Sequence, residues 1–98
     1  MGFDPLRNFF GVNKILKRSR FEIIMDILKI CMGGAGKTEI VYRGNLNFKM
    51  LKNYLAELEK CGLIEERNSL IYTTDSGRLF LKKLDEALQL ITAKNRPF

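Results

Sequence analysis

The stretch KTEIVYRGNLNFKMLKNYLAELEKCGLI, residues 37–64, holds two helix patterns separated by a tight polar turn. The first begins at Lys37 or Thr38, with Thr38 as its cap, and carries Ile40 and Val41 as core residues as far as Arg43. Gly44 offers a left-handed terminus. Asn45-Leu46-Asn47 makes the turn, and Asn47 caps a second helix from Phe48 to Cys61 that stops at Gly62. At 3.6 residues per turn, Phe48, Leu51, Leu55 and Leu58 share the inward face of that second helix.

Upstream, Ser19-Arg20-Phe21-Glu22 is a capping box, with serine at the cap and glutamate three residues on. Phe21, Ile24, Ile27, Leu28 and Cys31 then recur at helical spacing, with Ile23 and Ile30 widening the apolar surface. This helix is central to the core and stops at Gly33-Gly34-Ala35-Gly36. Downstream, Leu63–Arg67 and Leu70–Thr74 flank Asn68-Ser69, a two-residue hairpin turn. Thr74 or Asp75 caps a last helix that runs to about Lys94, with Gly77 tolerated in its first turn.

Two helices joined by a short glycine-containing turn are a helix-turn-helix, and a hairpin directly after them is a wing. The expected class is α+β and mostly helical: a three-helix core, a β-hairpin wing and a long C-terminal helix. The expected division is an extension over 1–18, a winged helix-turn-helix domain over 19–74 and a C-terminal helix over 75–98. In the extension, Asp4-Pro5 starts a short helix at 5–10.

The stretches Arg20–Leu28, Gly36–Asn47, Tyr54–Ile64 and Tyr72–Arg78, taken together, resemble the small archaeal winged-helix DNA-binding proteins. Some members of that family dimerise through an extended C-terminal helix. The resemblance runs from Ser19 to Ile91, and residues 1–18 lie outside its usual pattern. It implies double-stranded DNA binding, homodimerisation and a regulatory or nucleoid-associated role.

Charge and face composition point the same way. Seventeen Lys and Arg against eleven Asp and Glu give a net charge of +6, which fits a polyanionic partner. On the third helix, Lys49, Asn53, Ala56 and Lys60 lie opposite the core face, with Met50 and Lys52 at its borders. A helix entering the major groove carries such long donors and small residues on its outer side, mainly toward its N-terminal half. Asn47 and the helix N-terminus suit a phosphate.

Lys37 and Arg43 border the second helix and hold the DNA backbone under this reading. At the wing tip, Arg67, Asn68 and Ser69 reach a minor groove or a phosphate, with Glu65 and Glu66 confining the contact to Arg67. The basic run Lys14, Lys17, Arg18 and Arg20 is either an arm along the phosphates or a solubilising linker. Phe80, Leu84, Ala87 and Ile91 follow four-three-four spacing and, with Leu88, make a dimerisation face. Alternatively, the N-terminal extension folds back over that helix.

Other classes are set aside. There is no histidine, hence neither the commonest general base nor the commonest metal ligand. The carboxylates Asp26, Glu57 and Glu59 read as helix surface, so neither an enzyme nor a metal site is expected. Gly33-Gly-Ala-Gly-Lys-Thr38 evokes a phosphate loop, but Cys31 stands where its first glycine belongs and a helix precedes it. No nucleotide cofactor is expected. Cys31 and Cys61 read as buried thiols of a reducing compartment.

No apolar run approaches the roughly 20 residues needed to cross a bilayer, and the expected location is cytoplasmic, at the nucleoid. The rival reading is a winged helix that docks protein, using Phe9, Phe10 and the last helix. Exposed aromatics on the third helix favour docking, whereas Lys49, Lys52, Asn53 and Lys60 favour DNA.

Overall fold

A computed structural model describes residues 18–94. The expected helix at 5–10 and the basic residues Lys14 and Lys17 lie outside that range. The elements run α1 (Arg20–Ile30), α2 (Lys37–Gly44), α3 (Phe48–Lys60), β1 (Ile64–Arg67), β2 (Leu70–Thr73) and α4 (Asp75–Lys94).

Helix α1 starts with a complete capping box. The Glu22 amide donates to Ser19 Oγ at 3.1 Å, and the Ser19 amide donates to Glu22 Oε1 at 3.0 Å. Ile27, Leu28 and Cys31 are fully buried at the centre, and α1 packs against α2, β2 and α4. Phe21, expected in the core, is 53% exposed. It sits in the first turn of the helix.

Helix α2 is capped by Gly36 without a side-chain hydrogen bond, not by Thr38. Ala35 is held in a backbone pair with Ile71, so the helix begins directly after it, and the Ile40 amide donates to the Gly36 carbonyl at 3.0 Å. The left-handed residue at the far end is Asn45, with φ of 56°, rather than Gly44. The Leu46 amide then returns to the Val41 carbonyl at 3.0 Å, a Schellman closure for which asparagine suffices.

Helix α3 is capped by Asn47, whose Oδ1 accepts from the Met50 amide at 2.7 Å. It closes through Gly62 at φ of 75°, with Leu63 donating to the Leu58 carbonyl at 2.9 Å. Leu51, Leu55 and Leu58 are buried, as the spacing requires. Phe48 is 58% exposed, against expectation, because it is the first residue of the helix and the core begins one turn later. Cys61, at the opposite end, is exposed, whereas Cys31 is buried; both are free thiols. Burial pushes the Cys31 thiol up to about 11, Glu39 adds to the rise and Arg43 opposes it, so the group stays protonated.

The hairpin pairs Ile64 with Thr73 and Arg67 with Leu70, and both turn residues have positive φ, 51° at Asn68 and 68° at Ser69. That is the I′ geometry matching the twist of a hairpin. Ile64 and Ile71 are buried on the inner face. Leu63 and Thr74 lie just outside the strands, joined by a Thr74 amide to Leu63 carbonyl bond at 3.0 Å.

Thr74 Oγ1 accepts from the Gly77 amide at 3.0 Å and so caps α4. Gly77 is more than tolerated. A Cβ there would lie 2.1 Å from the Leu63 carbonyl oxygen and 2.7 Å from Thr73 Cγ2, so α4 meets the hairpin over a bare backbone. Helix propensity alone favours alanine over glycine by about 1 kcal/mol. Gly77→Ala is nevertheless expected to destabilise the protein by about 1–3 kcal/mol, because α4 must move off the hairpin. Urea denaturation of the two proteins measures the difference, and a stabilised variant contradicts the packing described.

Candidate nucleic-acid interface

Helix α3 presents three faces. Leu51, Leu55 and Leu58 point into the core. Lys49, Lys52, Asn53, Ala56 and Lys60 are all exposed, and they occupy the face opposite the core together with its border toward the wing. Tyr54 and Glu57 flank the side toward α1, where Arg20 donates to Glu57 Oε1 at 2.7 Å and lies over the Tyr54 ring at 5.8 Å. At the leading end, Asn47 Oδ1 is occupied by its cap, while no backbone acceptor is assigned to the Phe48 and Lys49 amides among the described residues. A helix N-terminus of this kind favours an anion.

Between α3 and the hairpin lies an open cleft of about 400 Å³. Leu51, Leu55, Ile64 and Ile71 form its floor, and Phe48, Lys37, Lys52, Glu59 and Glu66 surround it. The alternation of the strand explains the position of Glu66. It pairs with Ile71 and shares the inner face, whereas Glu65 and Arg67 share the outer one. The two acidic residues before the wing tip therefore do not act together.

The structure separates the cations into two sets. Arg18 donates to Asp26 at 2.6 Å and to the Gly44 carbonyl at 2.7 Å, tying the start of α1 to the end of α2. Arg43 donates to Glu39 at 2.9 Å, one turn back on α2. Arg67 pairs with Glu65 at 3.1 Å and stacks on the Tyr72 ring, its guanidinium carbon 4.1 Å from the centroid. Arg18 and Arg20 thus make intramolecular contacts.

By contrast, Lys37, Lys49, Lys52 and Lys60 have no carboxylate within 4.0 Å among the described residues. Lys37 and Lys52 meet at the cleft, Lys49 stands near the leading end of α3, and Lys60 lies at its far end. Asn68 is held in the wing turn, beyond Arg67.

Sequence periodicity overlooked two exposed aromatics in this region, Phe48 and Tyr42, the latter 85% exposed on α2. The signal for Phe48 was its place immediately after the Asn47 cap, where a helix has no preceding turn to bury it.

A model of the winged helix-turn-helix family matches residues 17–92. The chain belongs to the winged helix-turn-helix family. Among its relatives is an uncharacterised protein of Methanocaldococcus jannaschii, 32% identical over 91 residues that make up 92% of this chain and 94% of that protein. A second uncharacterised protein of the same organism is 34% identical over 77 residues, 78% of this chain but only 36% of its own length. The crystal structure of Sso10a-2, a DNA-binding protein from Sulfolobus solfataricus, matches with a TM-score of 0.66 at 24% identity. That match covers 83% of this chain and all of that one, and at this identity the likeness is one of fold. In this winged helix-turn-helix chain no helix among the described residues is long and apolar enough to cross a membrane.

Proposed function

We propose that the protein binds double-stranded DNA as a homodimer, with α3 in the major groove and the wing against the backbone or minor groove. The observation that carries this reading is the exposed group Lys37, Lys49 and Lys52 around the start of α3, with no carboxylate within 4.0 Å among the described residues. A Lys side chain left without a carboxylate keeps its full charge for a mobile anionic partner, and phosphate contacts supply most of the affinity of DNA-binding proteins.

In this arrangement Lys49, Lys52 and the open amides at the start of α3 take phosphates, while Asn53 faces a base edge. Lys37, at the start of α2, and Lys60, at the end of α3, hold the flanking backbone, and Asn47 remains the cap that orients α3. Arg43 and Arg67 contribute from their ion-paired positions, and Asn68 sets the wing tip. The DNA-binding protein Sso10a-2 shares the fold and adds support to the reading. A transcriptional regulator is the role we favour; a nucleoid-associated protein would use the same face with less sequence preference.

Exposed Phe48 and Tyr42 favour a second reading, a protein-docking module. The lysines around Phe48 weigh against it, since they would have to meet an acidic partner.

Fluorescence anisotropy with a random-sequence duplex across a salt series separates the two. Log affinity is expected to fall linearly with log salt, and Lys49→Ala to reduce the slope by about one. Lys83→Ala, on exposed α4, leaves the slope unchanged. Absence of binding at low salt, or a slope insensitive to Lys49, contradicts the DNA reading.

The proposed dimer follows from α4. Twenty residues of helix extend about 30 Å, whereas the eleven residues of α1 extend about 16 Å. Phe80 packs against the protomer's own core, and Leu84 and Leu88 are half-buried. The same stripe continues to Ile91, which is 56% exposed, with Ala87 beside it. Among the described residues the cover runs out before the apolar stripe does. A second copy of α4 completes it, with Ala87, Leu88 and Ile91 at the centre, Leu84 at the border and Phe80 confined to the protomer.

Light scattering after size exclusion is expected to give a dimeric mass for the wild type and a monomeric mass for Ile91→Glu. A monomeric wild type contradicts the dimer and returns the stripe to the N-terminal extension.

A further inference from the structure

Phe48 stands at the leading end of α3, 58% exposed, while the three leucines behind it fill the core. Its ring borders the cleft between α3 and the hairpin, and Lys37 and Lys52 line the same cleft. In an α-helix each Cα–Cβ bond tilts toward the N-terminus, so a side chain at the first position projects ahead of the helix. When a helix enters a groove by its N-terminal half, that side chain arrives first.

Glu59 and Glu66 line the cleft as well, and an aromatic ring has nothing to offer a phosphate. In the major groove one apolar feature distinguishes the bases, the C5-methyl group of thymine. We infer that Phe48 reads thymine by covering its C5-methyl group, making it a residue that sets base preference rather than general affinity. The inference rests on the proposed DNA-binding mode. The adjacent lysines hold the strand by its phosphates, and the ring then lies against the pyrimidine edge. Asn53 is more than one turn further along α3 and faces a different base pair.

The test compares two duplexes of the same random-sequence design, one containing thymidine throughout and the other deoxyuridine, which lacks only the methyl group. Anisotropy titrations at one salt concentration give the affinity ratio between them. For the wild type the ratio is expected to favour thymidine by about fourfold for each methyl the ring covers, the factor corresponding to burial of one such group. In Phe48→Ala the ratio falls to near one, and in Phe48→Leu, which keeps an apolar side chain, part of it returns. Thermal melts by circular dichroism check that both variants fold, as expected for an exposed position.

A wild-type ratio near one, with binding intact, overturns the inference and leaves the DNA-binding reading standing. So does a ratio that persists in Phe48→Ala. Absence of binding to either duplex overturns both readings, and an exposed Phe48 then belongs to a protein-docking surface.

Discussion

Thr73 donates its hydroxyl to the Leu28 carbonyl at 2.7 Å and its amide to the Cys31 carbonyl at 3.0 Å. Two residues before it, Ile71 exchanges both backbone bonds with Ala35, at 2.8 and 3.0 Å. These bonds do two things at once. They satisfy carbonyls at the end of α1 that a helix leaves without partners, and they fix β2 against the loop that precedes α2. With β2 fixed, the register of the hairpin places Ile64 and Ile71 inward and Glu65 and Arg67 outward. The hairpin then stands beside α3 at a distance that leaves the cleft, and its end feeds Thr74 into the cap of α4. Gly77 completes the join, since only a residue without Cβ lets α4 rest on the Leu63 carbonyl.

On that frame the division of labour between cation types is clear. Among the described residues every arginine is in an ion pair, whereas the lysines near α3 are not. The planar guanidinium suits fixed partners: a carboxylate and a helix-end carbonyl for Arg18, and a carboxylate and an aromatic face for Arg67. The flexible ammonium holds a phosphate as a point charge. Exposed ion pairs of this sort contribute about 1 kcal/mol or less to stability, too little to withhold an arginine from a phosphate. Of the lysines, Lys37, Lys49 and Lys52 stand around the start of α3, whereas Lys60 lies at its far end.

Much of this was legible in the sequence because helix ends follow local chemistry. The Ser19–Glu22 capping box, Asn47 before α3, Gly62 after it, Asn68-Ser69 and Thr74 each determine a backbone geometry within a few residues. The residues expected inside but found exposed share one cause. Periodicity identifies which face of a helix turns inward, but not how far along the helix the cover extends. Phe21, Phe48 and Cys61 all lie at helix ends, where the inward face has outrun its neighbours, and all are exposed. Ala35 and Gly77 were illegible for a different reason. Their roles, a strand-like pair with Ile71 and a close approach to Leu63, depend on residues distant in the chain. At the proposed interface, the residue types on the outer face of α3 could be read directly. The engagement of Arg18, Arg20, Arg43 and Arg67 by their own carboxylates could not, because each pairing needs side-chain geometry that spacing does not supply.

The central claim is that α3 and its surroundings form the face that meets DNA. Amide chemical-shift mapping of the labelled protein titrated with a random-sequence duplex tests it most directly. The largest shifts are expected at Lys37, at Asn47 through Asn53 and at the wing tip around Asn68, with α4 little changed. Shifts concentrated on α4, with the start of α3 silent, would contradict it.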